Sequence, residues 1–349
     1  MKIGVVGTGV AGCVTALEAI ARGWDVTIFD DPIAPRCSST AAGMLAPLAE
    51  LEEADDTIFR LGMRSLDLWP RLLGRLEHPV FFQREGSLLI AHRSDLPLLR
   101  RVIMLIERKV GRRVELLSAA DVQTLEPDLP RFHGLYLPEE GQIDTQGFLE
   151  SAESFLAGRC EMRKLRVART RAGEVETDSG TPNGTIARFD WVFDCRGIGG
   201  RREMPELRGV RGEIIWVHAP GVSLRRPIRL VHPRYHVYVV PRPDHIYLVG
   251  ASSIEAEDLS PLSVRTALEL LSALYAVQPE FAEARIVRTD VNLRPAFPDN
   301  RPRTEHDDGI TRINGLFRHG YLLAPAVVED AVSGVANGSA SEVALHAAH

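Results

Sequence analysis

Cysteine is scarce and widely spaced. Cys13, Cys37, Cys160 and Cys195 form no C-x-x-C pair, and no histidine stands at metal-ligand spacing. That argues against a structural zinc site and a disulfide framework, and the four are expected as buried or half-buried thiols in a reducing cytosol. Long apolar runs are also missing. No stretch approaches the ~20 residues of a membrane helix. The first apolar run begins at residue 3 and contains a glycine loop, which makes it a poor signal peptide. A cytoplasmic location follows as the default. Excess positive charge is absent too: 41 Lys and Arg stand against 47 Asp and Glu, so no nucleic-acid partner is expected. There is no internal repeat, no low-complexity segment, and no evident Ser-His-Asp or Cys-His nucleophile. What remains is an ordinary globular composition, 45% hydrophobic over 349 residues, enough for a large core and about two domains.

The chain opens on MKIGVVGTGVAGC. Lys2–Val6 is short and β-branched, as a buried parallel strand should be. Helical spacing of apolar residues follows from Val10 to Arg22, Gly23-Trp24 breaks it, and Asp25–Phe29 is the next strand with Asp30 at its end. Strand, G-x-G-x-x-G, helix, strand and acid are thus all in place for a dinucleotide. Gly7 makes the tight turn, Gly9 lets a pyrophosphate approach the backbone, and Gly12 lets the helix pack close to the strand. The helix-start N–H groups of Val10 and Ala11 meet the phosphate charge. Asp30 can accept hydrogen bonds from a ribose, which favours FAD or NAD over NADP.

Four further segments carry a resemblance. SSTAAGMLAPLAE (38–50), HVYVVPRPDHIYLVGAS (236–252), NLRPAFPDNRP (292–302) and GLFRHGYLLAPA (315–326) occur in this order. With the glycine loop they resemble the D-amino acid oxidase-like family of flavoenzymes, and within it the glycine oxidases tied to thiamine biosynthesis. The resemblance implies an α/β (α+β) two-domain fold, a Rossmann-like FAD-binding domain interleaved with a mostly antiparallel β-sheet substrate domain. The expected boundaries are 1–76, 143–207 and 294–345 for the first, and 77–142 and 208–293 for the second. It also implies noncovalent FAD, O₂ as the electron acceptor, a small amine or amino acid as substrate, and a possible homo-oligomer.

Site residues follow from the same resemblance. Arg294 matches the family's carboxylate-binding arginine; on the residues alone it reads as a surface ion pair. A guanidinium fork holds a carboxylate bidentately, which lysine cannot do. Tyr238, Arg318 and His236 match other active-site positions, although a lone strand histidine is more often structural. Ser38, Ser39, Thr40, Ala42, Gly43, Met44 and Leu45 are expected at the flavin. So are Val167, Cys195, Gly197, His319, Gly320, Tyr321 and Leu322. Departures from the family stand at Ala46, Ser253, Asn300 and Ala324–Asp330; Glu329 and Asp330 are expected in the first turn of a helix aimed at the flavin. The implied reaction is oxidation of glycine or a small N-substituted glycine by hydride transfer to flavin N5. It gives an imine, then glyoxylate and an amine, and H₂O₂. The alternatives are a D-amino acid or sarcosine-type dehydrogenase, or a flavoprotein that modifies a partner protein.

Other expected elements are a helix over Ile58–Leu73, a strand in GSLLIA, and a basic amphipathic helix over Leu96–Val110. A helix from residue 145, a hairpin of Met162–Thr170 against Glu174–Thr177, a buried strand at Trp191–Asp194 and a helix over Val264–Tyr275 complete the pattern. The tail GSASEVALHAAH is expected to fray.

Overall fold

The computed structural model describes residues 1–52, 56–178, 185–233 and 236–338. Among these, two sheets dominate. The first has the strand order Arg303–Asp307, Ile310–Asn314, Trp191–Asp194, Lys2–Val6, Asp25–Asp30, Glu161–Lys164. All its neighbours are parallel except the hairpin formed by its first two strands. Ile3 pairs with Trp191 on one side and Val26 on the other. The inner strands are apolar on both faces because both are covered: helices lie on one, and on the other Val6, Phe29 and Val192 pack against Val167 and Val175 of a small three-stranded sheet. Val10–Ala21, Thr145–Ala157 and Gly320–Ala336 pack with them into one core that includes Val5, Leu17, Phe148 and Val328.

The second sheet has eight strands. Its order is Arg285–Ala296, Arg208–His218, Ile246–Gly250, His236–Arg242, Ile228–Val231, Ser87–Ala91, His133–Leu137, Leu116–Leu117. It is antiparallel apart from the Ile228–Val231 and Ser87–Ala91 pair. The helix Val264–Val277 packs on one face. Its strand Arg285–Ala296 runs through residue 294, across the expected boundary.

Local signals fixed many elements well. The basic helix spans Leu96–Val110, stopped by Gly111 at φ +67°. Asn300 takes a left-handed turn at φ +56°, a conformation asparagine tolerates. Three expectations are corrected. The hairpin is shorter: Val167–Arg171 pairs with Glu174–Thr177, while Glu161–Lys164 joins the parallel sheet beside Asp25–Asp30. Cys37–Thr40, read as loop, is a helical turn. Glu329 and Asp330 do not open a helix. The last helix begins at Gly320 and carries Pro325 inside it. The N–H that Pro325 lacks would have bonded the Tyr321 carbonyl; the Trp69 indole donates to that carbonyl instead, at 3.0 Å. Glu329 and Asp330 therefore sit mid-helix, paired with Arg71 and Arg64. Most of the tail, residues 339–349, lies outside the described residues, as does the side chain of His236.

Candidate active site

A cavity of about 1660 Å³ lies between the two sheets. Drug-sized ligands take roughly 300–1,000 Å³, so this space suits something larger. Gly7, Gly9, Val10 and Ala11 line it, as do Asp30, Val167, Cys195 and Gly197. Ser38, Thr40, Ala42, Gly43 and Met44 form another wall. Tyr238, Arg294, Arg318, His319, Gly320, Tyr321 and Leu322 complete it, with the departures Ala46 and Ser253. Gly12, Ser39 and Leu45 are not in the lining. Gly12 packs against the Gly7 carbonyl, the Ser39 hydroxyl donates to the Arg36 carbonyl at 2.8 Å, and Leu45 is fully buried in the core. His236 opens the strand that carries Tyr238.

At the glycine loop, the strand Lys2–Val6 ends and the helix Val10–Ala21 starts without a side-chain cap of its own. The Val10 N–H donates to the Ser38 hydroxyl at 2.9 Å, and other first-turn N–H groups have no partner within the helix. A side chain at Gly9 would come within 3.1 Å of that hydroxyl. Asp30 accepts from the Thr8 hydroxyl and the Arg36 guanidinium. The Cys195 thiol is pushed up to about 12 by burial, and burial also raises that of Cys37. Neither cysteine in the lining is a thiolate at neutral pH.

In the middle, Gly43 sits at φ +71° with no room for a Cβ, which would fall 2.0 Å from the Ile143 carbonyl oxygen. Arg242 holds this segment, donating to the carbonyls of Ala42 and Ile143 and to Gln142. Burial lowers its pKa to about 10, which still leaves it charged at neutral pH. Asn292 ties the helical turn to the Arg285–Ala296 strand by donating to the Arg36 carbonyl and the Thr40 hydroxyl. The Tyr321 hydroxyl donates to the Ser38 and Thr145 carbonyls.

At the far end, the Arg294 guanidinium lies across Gly212, whose Cβ would fall 2.5 Å from it. It donates to the Ser252 carbonyl at 2.9 Å, and among the described residues no carboxylate is paired with it. Burial raises the Tyr238 phenol above its ordinary value although Arg294 and Arg229 oppose the shift, so at neutral pH it is a hydroxyl donor. Beside it stands a charge cluster in which sequence reasoning named Arg318 and His319 but missed Glu50 and Arg229. Glu50 accepts from Arg229 at 2.6 Å, and from Arg318 and His319 at 2.8 Å each. Burial works against ionisation of Glu50, but Arg229, the His319 hydrogen bond and Arg318 hold its carboxyl well below the usual range. The turn carrying Glu50 is pinned from behind: Glu140 accepts the Leu48 and Ala49 N–H groups, both at 2.8 Å, and the Ser87 hydroxyl.

Burial pushes Glu140 up from 4.5 to about 7. Between those values the folded chain holds one proton more than the unfolded chain. Its contribution to stability is therefore full below 4.5 and lost as pH rises through 7. Glu140→Gln keeps an acceptor for the two N–H groups and removes the titration. The variant is expected to gain on the wild type, by a few kcal/mol at order of magnitude, between pH 5 and pH 8. Thermal midpoints at the two pH values test this; an unchanged gap between the proteins would show that Glu140 is ionised in the fold.

The fit to a dinucleotide is physical: a glycine cradle at an open helix start, where a Cβ at Gly7, Gly9 or Gly12 would crowd its neighbours, and small residues along the wall. Residues 2–331 match the DAO family of FAD dependent oxidoreductases. The chain belongs to that family. Members of the DAO family use FAD, so this protein is an FAD-dependent oxidoreductase. It is 38% identical over 334 residues to a Rhizobium etli protein named as thiamine biosynthesis oxidoreductase ThiO, covering 94% of each chain. It is 26% identical to the Trichormus variabilis bifunctional protein ThiO/ThiG, covering 92% of this chain and 50% of that one. Its fold matches iminodiacetate oxidase from Chelativorans sp. BNC1 (TM-score 0.83, 24% identity, 99% and 97% coverage). It also matches glycine oxidase from Geobacillus kaustophilus (TM-score 0.83, 22% identity, 98% and 96% coverage). Among the described residues no helix is long and apolar enough to cross a membrane.

Proposed function

We propose that this protein oxidises glycine or a small N-substituted glycine to the imine, which water converts to glyoxylate and an amine. The observation that carries this is Arg294: a guanidinium on the cavity wall, at the end away from the glycine loop, with which no carboxylate among the described residues is paired. A substrate carboxylate supplies that partner, bidentately. The Tyr238 hydroxyl, kept protonated by burial, donates to the same carboxylate. Holding the carboxylate at two points fixes the α-carbon against the wall of Ala42, Gly43 and Met44. The ThiO relative supports a place in thiamine synthesis, where the imine itself is the useful product.

When bound, FAD would supply a two-electron hydride acceptor, with O₂ proposed as the final acceptor and H₂O₂ as the by-product. It would be held noncovalently: pyrophosphate at Gly7–Ala11, ribose at Asp30, adenine near Val167, ring system along Ser38–Met44 and Gly320–Leu322. The interleaved units 1–76, 143–207 and 294–345 would carry it, with 77–142 and 208–293 forming the substrate side.

Anaerobic mixing of the yellow protein with glycine, sarcosine and D-alanine in turn tests the reading. Bleaching of the flavin by glycine or sarcosine is expected. A flavin that none of the three bleaches would rule out small-amine oxidation and redirect the search to larger amines or a protein substrate.

A further inference from the structure

We propose that Ser252, held by Glu213, is a positioning residue for the carboxylate clamp: its carbonyl aims the Arg294 fork at the substrate. The inference rests on the reading of Arg294 above. An arginine side chain turns about several single bonds. A fork already set in its bound orientation holds a carboxylate more tightly than one that must be ordered at each encounter. The structure leaves Arg294 little of that freedom. A Cβ at Gly212 would fall 2.5 to 2.7 Å from its Cζ and both terminal nitrogens, so the group lies flat over that residue. Nη1 donates to the Ser252 carbonyl at 2.9 Å. Nη2 has no protein partner among the described residues and keeps accessible surface, on a residue that lines the cavity.

The Ser252 carbonyl stands there because the sheet slips. The strand Ile246–Gly250 pairs with Arg208–His218, and Gly250 faces Ile214. Continued in that register, Ser252 would face Gly212. It meets Glu213 instead. The Ser252 N–H donates to the Glu213 carbonyl at 3.3 Å, and the Glu213 N–H donates to the Ser252 hydroxyl at 2.9 Å. Ile254 and Arg211 then exchange both backbone bonds, at 2.9 and 3.0 Å. The pairing has moved by one residue at Ala251. Such slips re-aim the groups that follow them. Here Ala251, Ser252, Ser253 and Ile254 all line the cavity, and the Ser252 carbonyl is the atom that reaches Arg294.

A buried charge network holds the slipped register. The Glu213 side chain accepts from Arg211 at 2.7 Å, from the Ser263 N–H at 2.8 Å and from the Thr266 hydroxyl. Arg211, 3% exposed, donates onward to the Asp258 and Pro261 carbonyls at 2.6 and 2.8 Å. Burial works against ionisation of Glu213, yet Thr266, Arg211 and the Ser263 N–H bring its pKa below the ordinary value. A carboxylate taken out of water is tolerated only when its oxygens are met in this way. The network joins the Arg208–His218 strand, the 252–254 segment and the start of the helix Val264–Val277. Glu213 has 0% exposure, so it acts through Ser252 and not on a substrate directly.

The test uses the holoenzyme with Ser252→Ala, which removes the acceptor of the Glu213 N–H and leaves the carbonyl in the chain. Acetate, a carboxylate without an amine, is the binding probe, read from its perturbation of the flavin absorbance. Its Kd is expected to rise roughly 3- to 10-fold, the range for one lost hydrogen bond. KM for glycine should rise by the same factor while the limiting rate of anaerobic flavin reduction stays within twofold. Ser252→Thr keeps the hydroxyl and should restore both. The second readout is a double-mutant cycle on the slope of flavin reduction against low glycine concentration. In an Arg294→Ala background, Ser252→Ala should change that slope by less than twofold, because its effect runs through the fork. A merely structural role would lower the slope equally in both backgrounds. That result, or wild-type acetate affinity in Ser252→Ala, would overturn the proposal and leave the clamp standing. Arg294→Ala that binds acetate like the wild type would remove the clamp and this role together.

Discussion

Arg294→Ala is expected to slow flavin bleaching by subsaturating glycine by roughly 30- to 5000-fold, the range given by about 2–5 kcal/mol for truncating one partner of a buried charge pair. The loss arises because the guanidinium is the cation at that end of the cavity whose protein contact is a carbonyl, that of Ser252, rather than a carboxylate. Arg229 and Arg318 are already engaged by Glu50 and cannot replace it without giving that up. FAD content should hardly change, while the thermal midpoint should fall modestly, because the guanidinium packs on Gly212 and its hydrogen bond to the Ser252 carbonyl is lost. Arg294→Lys should recover only part of the rate, because an ammonium cannot reproduce the fork. Stopped-flow bleaching against glycine concentration checks this; a variant within twofold of wild type would mean that the carboxylate binds elsewhere.

Gly12→Ala should be among the most damaging single methyl groups at the described glycines. A Cβ there would fall 1.9 Å from the Gly7 carbonyl oxygen, main chain that cannot swing aside. The cost should exceed the ~1–3 kcal/mol of ordinary overpacking, and the purified variant should be colourless with a lowered thermal midpoint. Gly9→Ala provides the contrast. Its Cβ would meet the Ser38 hydroxyl at 3.1 Å, a side chain that can rotate. That variant should fold with a near-native midpoint and still lose flavin on dialysis. A yellow, normally stable Gly12→Ala protein would refute the assigned role of the loop.

These two glycines were legible because their reasons are local. Strand, turn, helix and acid sit within the first 30 residues, and the basic helix ends where Gly111 permits a left-handed residue. The helical turn Cys37–Thr40 was not legible. It has four residues, too few for a helical period, and is held by Asn292 and Tyr321 from the other end of the chain. Glu329 and Asp330 suggested the first turn of a helix; only the Trp69 indole, brought to the Tyr321 carbonyl by tertiary packing, explains how a helix begun at Gly320 runs through Pro325 to reach them. Arg242 was quoted within a family motif but given no task, and its grip on the Gly43 segment needed coordinates. Glu50 and His319 are 269 positions apart, a separation at which no periodicity speaks.

The parallel sheet has a consequence for biosynthesis. Its first two strands, residues 2–30, emerge from the ribosome at once, but the neighbour on one side comes at 191–194 and that strand's outer partner at 310–314. At about 5–20 residues per second, the glycine loop waits roughly 15 to 60 seconds before its sheet can close. The nascent chain must therefore carry exposed, β-branched edges through most of its translation. Capture of the flavin comes only after residue 322 has been made, and a chaperone that shields Lys2–Asp30 would protect the whole enzyme.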